Sequence, residues 1–375
     1  MSEESLKPLT ICHVDAERAF SGGEVQVFLL MHGLRARGHR SILMAPRGSQ
    51  ALARARRDGF EVREVGLRSD LDLGSVLRAG ASLRELRPDV VHLHTGRAAW
   101  LGGLAAWRAQ IPAIVTRRMD REVRRGWRTR WIYERLSRKV VAISGSVAQA
   151  LVAGGVPSER IVEIPSSIDP KACQPVRSRE ELRAELGVGE GQSVLLTVGS
   201  LVTRKGLDVL LNALAELASF NLRPAVWIAG DGEQRGALEA LAEKLGLAEV
   251  RFLGRRDDVW DLLRAADVFA MPSRREGLGV AALEAFVAGC AVVASQVGGL
   301  GEVVEDEVSG LCVPPDDPKA LAAALKRLLG DAPLRARLAR GASLRVDTRY
   351  HADKMVLAYE SLYRDVLATA RGKLR

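Results

Sequence analysis

The sequence is poor in cysteine, and the cysteines that it has are widely scattered. Cys12, Cys173, Cys290 and Cys312 form no CxxC pair, and no histidines accompany them at the spacing of a zinc ligand set. Disulfide frameworks and structural zinc sites use closely and regularly spaced ligands. The cysteine pattern therefore argues against both a disulfide-stabilised and a zinc-stabilised protein.

The sequence also lacks an export signal and a long apolar run. Its first residues, MSEESLKPLTI, carry acids and a proline where a secretory signal has a basic start and an apolar core. The least charged stretch, residues 285–301, is interrupted by Ser295, Gln296 and several glycines, which is typical of a buried helix, strand and turn. We therefore expect a cytoplasmic protein that does not span a bilayer, although it can still work at the inner face of the cytoplasmic membrane.

Length and composition indicate a soluble protein of two domains. The 375 residues exceed what one hydrophobic core usually supports, and 47% of them are hydrophobic while 27% are charged. That balance excludes a largely disordered or fibrous chain. Two domains of ordinary size leave a cleft between them, which is where a ligand is expected.

The order of apolar runs predicts an α/β fold in both halves. From Thr10 the pattern is strand, glycine turn, amphipathic helix and strand, and the runs DVVHLH, PAIVTR and KVVAIS follow at helix-length intervals. This rhythm is typical of a doubly wound parallel sheet. After the Pro- and Ser-rich segment VEIPSSIDPKACQPV, a second series begins, with SVLLTVG, AVWIAG, EVRFLG, VFAMPS, AVVASQ and GLCVP.

These patterns divide the chain into three parts. We predict an N-terminal Rossmann-like domain over residues 1–168 and a C-terminal Rossmann-like domain over residues 169–348. The last helical stretch, residues 349–375, follows a helical region without an intervening strand, so it is free to pack back on the N-terminal domain.

The formal net charge of +9 is compatible with nucleic acid, an anionic membrane or an anionic substrate as partner. Arginines are concentrated in residues 117–139, where Trp127, Trp131 and Tyr133 are interleaved with them. One interpretation is a segment that lies on an anionic membrane with its aromatic rings at headgroup depth. The other is a solvated, arginine-rich surface helix, and the sequence leaves both open.

Two carboxylates flank a glycine turn in the segment SRREGLGVAALE, residues 273–284. Glu276 and Glu284 are eight positions apart, and Gly277 and Gly279 follow the first of them. A helix that begins after these glycines presents free N–H groups and the positive end of its dipole beside Glu276. The pattern therefore predicts a site for a sugar diphosphate, with Glu284 reaching a more distant part of the same ligand.

Taken together, the motifs resemble the retaining glycosyltransferases of family 4, which have the two-domain GT-B fold. The resemblance covers nearly the whole chain, and its C-terminal series is specific in order and spacing. It rests on SGGEVQVFLL, LRARGH, IPSSID, VGSLVTRKGLDVLLNAL, AGDGEQR, the segment from FLGRRDD to AVVAS, and GGLGEVVEDEVSGLCVPPDDPKALAAAL.

The resemblance implies that a nucleotide sugar, the donor, binds mainly to the C-terminal domain and that the acceptor binds to the N-terminal domain. Arg204 and Lys205 would neutralise the diphosphate where no metal does so, and Glu276 would contact the sugar ring near its reacting face. Glu284 would accept hydrogen bonds from the ribose hydroxyls. The remaining donor-binding candidates are Gly22, Gly23, Ser200, Gly230, Asp231, Gly254, Arg255, Gly277, Leu278 and Gly279.

The chain departs from the family pattern at two places. Ser200 stands where many members have an arginine, so Arg204 would carry more of the phosphate binding. The segment TRRMD follows PAIVT where many members have a histidine, so we consider Arg118 for acceptor binding and Asp120 for orienting or deprotonating the acceptor, with a surface helix cap as the alternative for Asp120.

Two further sets of residues have both a functional and a structural interpretation. His92 and His94 end a predicted strand beside the cleft, so they are candidates for acceptor binding, but each can equally be a satisfied core histidine. Asp70 and Asp72 superficially suggest a DxD metal motif, yet they lie far from the sugar-binding motifs, and we interpret them as a loop and helix start. No metal or other cofactor is expected.

The resemblance therefore implies a retaining, metal-independent glycosyltransferase. Its expected acceptor is a lipid-linked or cell-envelope saccharide, such as a lipopolysaccharide core or a polysaccharide precursor. Another enzyme on the same fold, a nucleotide-sugar epimerase or glycogen phosphorylase, is the alternative. A basic nucleic-acid-binding protein is more remote, because it explains the charge but not the ordered glycine and carboxylate motifs, and no nucleic-acid partner is expected.

Overall fold

The computed structural model of the chain describes residues 7–67, 69 and 72–372. It divides into two compact units. The first contains the residues up to 166 together with those from 352 onward, and the second contains residues 167–351. The sequence places these boundaries after residues 168 and 348.

The described part of the first unit contains seven parallel strands in one sheet. Their order is β3-β2-β1-β4-β5-β6-β7, so the sheet extends in opposite directions from the β1/β4 pair. Ligands of such sheets bind beyond the carboxyl ends of the strands at this reversal point. The strands are β1 (Thr10–Val14), β2 (Arg40–Pro46), β3 (Glu61–Val65), β4 (Val90–Leu93), β5 (Ala113–Arg117), β6 (Lys139–Ala142) and β7 (Ile161–Glu163).

Helices connect these strands. The first of them begins behind a capping box, in which the backbone N–H of Ser21 donates to Glu24 at 2.6 Å. Asp72 caps the third by accepting from the N–H of Ser75 at 2.9 Å, whereas Asp70 lies outside the described residues. The helices are α1 (Gly22–Ala36), α2 (Gln50–Arg57), α3 (Leu73–Leu86), α4 (Gly103–Arg108), α5 (Trp127–Arg130) and α6 (Gly145–Ala153), with π-helical turns at Ala98–Gly102 and Trp131–Leu136.

The second unit repeats this architecture, with six parallel strands in the order β10-β9-β8-β11-β12-β13 among its described residues. The strands are β8 (Val194–Val198), β9 (Ala225–Ala229), β10 (Val250–Gly254), β11 (Val268–Met271), β12 (Ala291–Ser295) and β13 (Leu311–Val313). The helices are α7 (Arg179–Glu185), α8 (Leu207–Ala218), α9 (Arg235–Lys244), α10 (Val259–Ala265), α11 (Val280–Ala288), α12 (Leu300–Val303), α13 (Pro318–Gly330) and α14 (Ala332–Arg345).

Each unit has its own hydrophobic core. In the second, apolar residues of α8, α13 and the central strands pack together, and residues such as Leu210, Leu214 and Leu325 are completely or almost completely buried. In the first, Ile11, Val90 and other strand residues pack on one side against α1 and against the last helix of the chain. Burial of this kind stabilises a sheet that is covered on both faces.

That last helix, α15 (Ala352–Gly372), belongs to the first unit. It packs on α1, where Gly33 has no side chain to collide with Val356, and Glu360 accepts a 2.6 Å hydrogen bond from the Arg37 guanidinium. Val356, Tyr359 and other residues of α15 therefore complete the core of the first unit.

The predicted fold class is confirmed: the chain forms two doubly wound parallel α/β domains. The sequence analysis did not identify β3 and β7, both edge strands of the first sheet. Across the described ranges, no helix combines the length and the apolar character that crossing a membrane requires.

Candidate active site

The second unit has a recess at the reversal point of its sheet. It is lined by the ends of β8 and β11 and by the segments that follow them, including Gly199, Ser200, Lys205 and Ser273. Loops and helix N-termini collect at this edge of a parallel sheet, which makes it the expected place for a ligand.

The sequence folds locally so that Lys205 lies at this recess. Residues 203–205 form one 3-10 turn, which ends at Gly206 with φ +64°. A Cβ atom on Gly206 would overlap with the carbonyl oxygen of Pro272, so only glycine allows the two backbones to approach this closely. The turn thereby positions Arg204 and Lys205 beside the loop that follows β11.

Glu276 is the centre of a charged cluster at the recess. It is 8% exposed, and its Oε1 accepts from the ammonium of Lys205, from Arg204 at 3.4 Å and from the Ser273 hydroxyl at 3.3 Å. A buried carboxylate is tolerable only with such partners. The cluster thus holds two cations and one carboxylate within reach of a small polar ligand.

Arg274, which the sequence analysis did not single out, fixes this loop. Its guanidinium pairs with Asp208 at 2.7 Å and with Asp316 at 2.6 Å, and its backbone N–H donates to the carbonyl of Arg204 at 2.8 Å. Hydrogen bonds from Arg274 hold the pKa of the Asp208 carboxyl below its ordinary value. Arg274 therefore positions both halves of the charged cluster without being part of it.

Helix α11 begins where the sequence predicted, directly after Gly277, Leu278 and Gly279. Gly279 has φ +97°, and a Cβ there would come within 2.7 Å of the Leu300 side chain. Glu284 lies in the second turn and is half-buried, and among the described residues it has no hydrogen bond or ion pair. Burial raises its pKa to about 7, and the positive charge of Lys205 opposes this only in part.

The two loops assigned to the nucleotide base lie next to each other. The N–H of Gly230 donates to the carbonyl of Gly254 at 2.7 Å, and the carbonyl of Asp231 accepts from Leu201 at 3.0 Å. Gly230 has φ +144°, and a Cβ there would overlap with the carbonyl of Gly199. The side chains of Ser200, Asp231 and Arg255 are exposed at this edge.

The reversal point of the first unit carries a histidine cluster. His13 of β1 pairs in register with His92 of β4, and His94 follows β4. His13 Nδ1 and His94 Nε2 are 3.0 Å apart, so one donates and the other accepts. Burial, together with the positive charge of Arg118, lowers the pKa of His13 to about 3. Burial and the neighbouring rings also lower the pKa values of His92 and His94, so all three rings are neutral near pH 7.

Helix α15 adds two tyrosines to this cluster. His92 Nδ1 lies 2.7 Å from the hydroxyl of Tyr363, and His92 Nε2 lies 2.7 Å from Thr116 Oγ1, which in turn lies 2.9 Å from the hydroxyl of Tyr359. His92 is completely buried and both of its nitrogens are hydrogen-bonded. Any contribution of His92 to acceptor binding would therefore act through its neighbours.

The three histidines could in principle hold a metal ion, because one nitrogen from each lies within 4.8 Å of the others. However, both nitrogens of His92 are already used, and the positive charge of Arg118 acts on all three rings. A divalent cation would have to break a hydrogen bond and overcome that repulsion. The arrangement therefore fits a ligand that accepts hydrogen bonds better than it fits a metal.

The other candidates of the first unit lie near this cluster. Gly22 and Gly23 open α1, and the Cβ position of Gly23 is 3.7 Å from the side chain of Arg118. Asp120 lies in a stretch without helix or strand, so the described structure does not make it a helix cap. Asp15, which the sequence analysis did not single out, is buried after β1, and that burial raises its pKa to about 7.

The arginine-rich segment is irregular over residues 118–126 and then forms the four-residue helix α5 and one π-helical turn. Trp127 and Trp131 are 68% and 42% exposed. Their rings contact Trp100 and Trp107 edge to face, at centroid distances of 5.7 and 6.4 Å. The segment therefore presents aromatic rings on its surface.

Two family models match the chain. That of glycosyl transferases group 1 covers residues 178–345, and that of glycosyltransferase family 4 covers residues 20–172. A D-inositol 3-phosphate glycosyltransferase from Saccharomonospora viridis is 33% identical over 327 residues, which are 79% of this chain and 74% of that protein. The chain belongs to glycosyltransferase family 4. The predictions of this family and of a transferase enzyme are thereby confirmed.

Other relatives of this family 4 glycosyltransferase match over shorter spans. An uncharacterised glycosyltransferase of Methanocaldococcus jannaschii, MJ1607, is 32% identical over 233 residues, which are 60% of each chain. The lipopolysaccharide core biosynthesis glycosyltransferase LpsD of Rhizobium meliloti is 36% identical over 182 residues, which are 48% of this chain and 52% of LpsD.

Solved structures show the same fold. Anabaena HepE, in complex with UDP and glucose, is 22% identical with a TM-score of 0.84, over 95% of this chain and all of HepE. A glycosyltransferase from Rickettsia africae is 19% identical with a TM-score of 0.87, over 96% of this chain and 99% of that one. At this level of identity the likeness establishes the GT-B fold of this family 4 member.

The structure groups the predicted residues into two sets. Arg204, Lys205 and Glu276 are in direct contact in the second unit, with Glu284 on the helix that follows. His92, His94 and Arg118 interact electrostatically in the first unit. Asp120 has no described contact with either set.

Proposed function

We propose that this family 4 enzyme is a retaining transferase that moves a sugar from a nucleotide sugar to a saccharide acceptor without a metal ion. The observation that carries the proposal is the contact of Lys205 and Arg204 with Glu276 at the reversal point of the second sheet. The chemistry of these side chains matches a phosphorylated sugar, because cations neutralise phosphate and carboxylates accept hydrogen bonds from hydroxyl groups.

In this proposal Lys205 and Arg204 stabilise the diphosphate as it leaves. Charge develops on the phosphate oxygens when the glycosidic bond to the nucleotide breaks, and preorganised cations reduce the barrier most at that moment. Glu276 orients the sugar, and the backbone N–H groups of Gly277 to Gly279 add donors at the start of α11. The leaving phosphate takes the proton of the acceptor hydroxyl on the same face, so that no strong protein base is required.

Glu284 supports the nucleotide end of this arrangement. Its half-buried carboxylate has no partner among the described residues, and ribose hydroxyls would supply the donors that it lacks. The complexes of HepE with UDP and with UDP-glucose support a nucleoside diphosphate sugar as the class of donor. A thermal-shift panel of UDP-, GDP-, ADP- and dTDP-sugars identifies the base, because only a ligand that binds the folded state raises Tm.

Substitution of Lys205 or Glu276 tests the donor site. Lys205→Ala and Glu276→Ala should each reduce sugar transfer by about a hundredfold or more while the protein stays folded. Lys244→Ala is the matched control, because Lys244 is exposed at the end of α9. Transfer at the wild-type rate in Lys205→Ala or Glu276→Ala would refute the role of that residue.

We assign acceptor binding to the first unit, where His94 and Arg118 lie beside the start of α1. A cell-envelope saccharide, lipid-linked or part of a lipopolysaccharide core, is the acceptor class that we propose. The relationship to LpsD supports it, because that protein's name places it in lipopolysaccharide core biosynthesis. Asp120 stays our candidate for orienting the acceptor hydroxyl.

We also propose that the segment of residues 117–139 contacts an anionic membrane from the cytoplasmic side. Exposed Trp131 contacts exposed Trp107, exposed Trp127 contacts Trp100, and Arg128 stacks 5.0 Å above the Trp100 ring. Aromatic rings beside arginines suit the headgroup region. Trp127→Ser with Trp131→Ser should weaken binding to vesicles that contain phosphatidylglycerol, with the exposed Phe220→Ser of the second unit as control, and unchanged partitioning would contradict the contact.

A further inference from the structure

Arg118 is a half-buried cation with two buried nitrogen atoms that have no partner in the protein. It follows β5 at the carboxyl edge of the first sheet, and its Nε and Nη1 atoms are shielded from solvent yet have no hydrogen-bond acceptor. Among the described ranges no carboxylate forms an ion pair with it. Two buried guanidinium donors without acceptors are costly, because they lose their hydration and gain no hydrogen bond in return.

The groups around Arg118 add one further hydrogen-bond donor, because the bond between the two neutral rings of His13 and His94 leaves one N–H and one bare nitrogen unpartnered. His13 Nε2 and His94 Nδ1 are also buried and unpartnered, and the rings of both are at most 6% exposed. The Asp15 carboxyl interacts electrostatically with Arg118, but burial raises its pKa to about 7, so it is only partly ionised near neutral pH. Glu24 is occupied by its hydrogen bonds to Ser21 in the cap of α1.

The start of α1 approaches the same place. The Cβ position of Gly23 lies 3.7 Å from Cδ of Arg118, so the first turn of this 15-residue helix is in van der Waals contact distance of that side chain. The positive end of the helix dipole thus adds to the charge of Arg118. A neutral imidazole, an arginine and a helix N-terminus all favour a ligand that carries negative charge.

We propose that Arg118 binds an anionic group of the acceptor, a phosphate or carboxylate close to the hydroxyl that receives the sugar. This inference rests on the proposed function, since it specifies which class of acceptor binds to the first unit. The diphosphate of the donor is the other possible source of such an anion. We favour the acceptor, because the second unit already supplies Arg204 and Lys205 for the diphosphate.

Binding of inorganic phosphate to the full-length protein tests the inference, with 31P line broadening and thermal shift as readouts. Arg118→Ala and Arg118→Gln should weaken phosphate binding by about tenfold or more, the loss expected for a charge-assisted hydrogen bond. Arg124→Ala, an exposed arginine of the same segment, should leave it unchanged. Comparing Tm of the variants without phosphate shows whether they are folded.

Three results would overturn the inference. Phosphate binding of wild-type strength in both folded Arg118 variants would show that this side chain does not hold the anion. Loss of phosphate binding in Lys205→Ala but not in the Arg118 variants would place the phosphate in the donor site. Displacement of phosphate from Arg118 by a saturating nucleoside diphosphate would assign the anion to the donor.

The proposed function can fail separately. If no nucleotide sugar raises Tm, the donor assignment fails, whereas the phosphate titration of the Arg118 variants still gives its own result. With a transfer assay in hand, Arg118→Gln should raise KM for a phosphorylated acceptor by about tenfold and leave KM for the donor unchanged. An equal rise for an uncharged acceptor would contradict the inference.

Discussion

Replacing Glu284 with glutamine removes one ionisable group from α11 and should change how stability depends on pH. Burial raises the pKa of this carboxyl from its ordinary 4.5 to about 7. The folded chain therefore binds the proton more tightly than the unfolded chain does. Consequently the free energy of unfolding of the wild-type protein falls as pH rises from 4.5 to 7, and this contribution is missing in Glu284→Gln.

The size of the effect follows from the shift. Each pKa unit corresponds to 1.36 kcal/mol, so the full shift is worth about 3 kcal/mol, and partial solvent access lowers this to about 1–3 kcal/mol. The variant should be about as stable as wild type near pH 4.5, since both side chains are then neutral. At pH 8 it should be more stable by about 1–3 kcal/mol.

Urea denaturation of both proteins at several pH values measures this difference. Glu243→Gln, an exposed glutamate of α9, is the matched control and should show no such trend. A difference between Glu284→Gln and wild type that stays constant from pH 4.5 to 8 would show that Glu284 ionises as in water. Under the proposed function, donor binding at pH 6 should also release a proton from Glu284, which calorimetry in buffers of different ionisation enthalpy detects.

Two glycine substitutions test the packing of each unit. Gly33→Ala should destabilise the first unit by about 1–3 kcal/mol, because the new methyl group overlaps with Val356, and the double variant with Val356→Ala should recover most of this. No recovery would mean that α1 and α15 do not meet there. Gly230→Ala should lower the free energy of unfolding by roughly several kcal/mol, because Gly230 has a φ of +144° and a new Cβ would overlap with the carbonyl of Gly199. Gly236→Ala in α9 should be neutral or stabilising, because a Cβ at Gly236 meets open space. Equal Tm values for these last two variants would refute the close approach at Gly230.

The sheets were largely predictable because buried parallel strands consist of short apolar runs. SVLLTVG, AVWIAG and AVVASQ each contain one strand of the second sheet. The strand β3, with the sequence EVREV, was missed because an edge strand carries charges that hide its periodicity. The strand β7 has only three residues, too few for a pattern.

The donor-site candidates were recognisable because they occupy contiguous motifs. The segments VTRKG and SRREGLG keep their residues within a few positions, and helix α11 begins at Val280 as the glycines predicted. Arg274 escaped notice because its partners Asp208 and Asp316 are 66 and 42 positions away in the sequence. No local sequence pattern predicts ion pairs between residues so far apart.

The polar cluster of the first unit was only partly predictable for the same reason. His92 and His94 are two positions apart in the sequence, but His13 joins them only through the pairing of β1 with β4. Tyr359 and Tyr363 come from a helix that the sequence left free to pack on either domain. The contacts of Arg118 depend on all of these elements together.

Helix α15 has a consequence for how the protein is made. The ribosome releases this helix only after the whole second unit has been synthesised, yet Val356, Tyr359 and Tyr363 are part of the core of the first. The half of the enzyme that is translated first is therefore the half that finishes folding last. Until then its sheet exposes the apolar surface that α15 later covers, which makes a nascent or C-terminally truncated chain a natural client for chaperones.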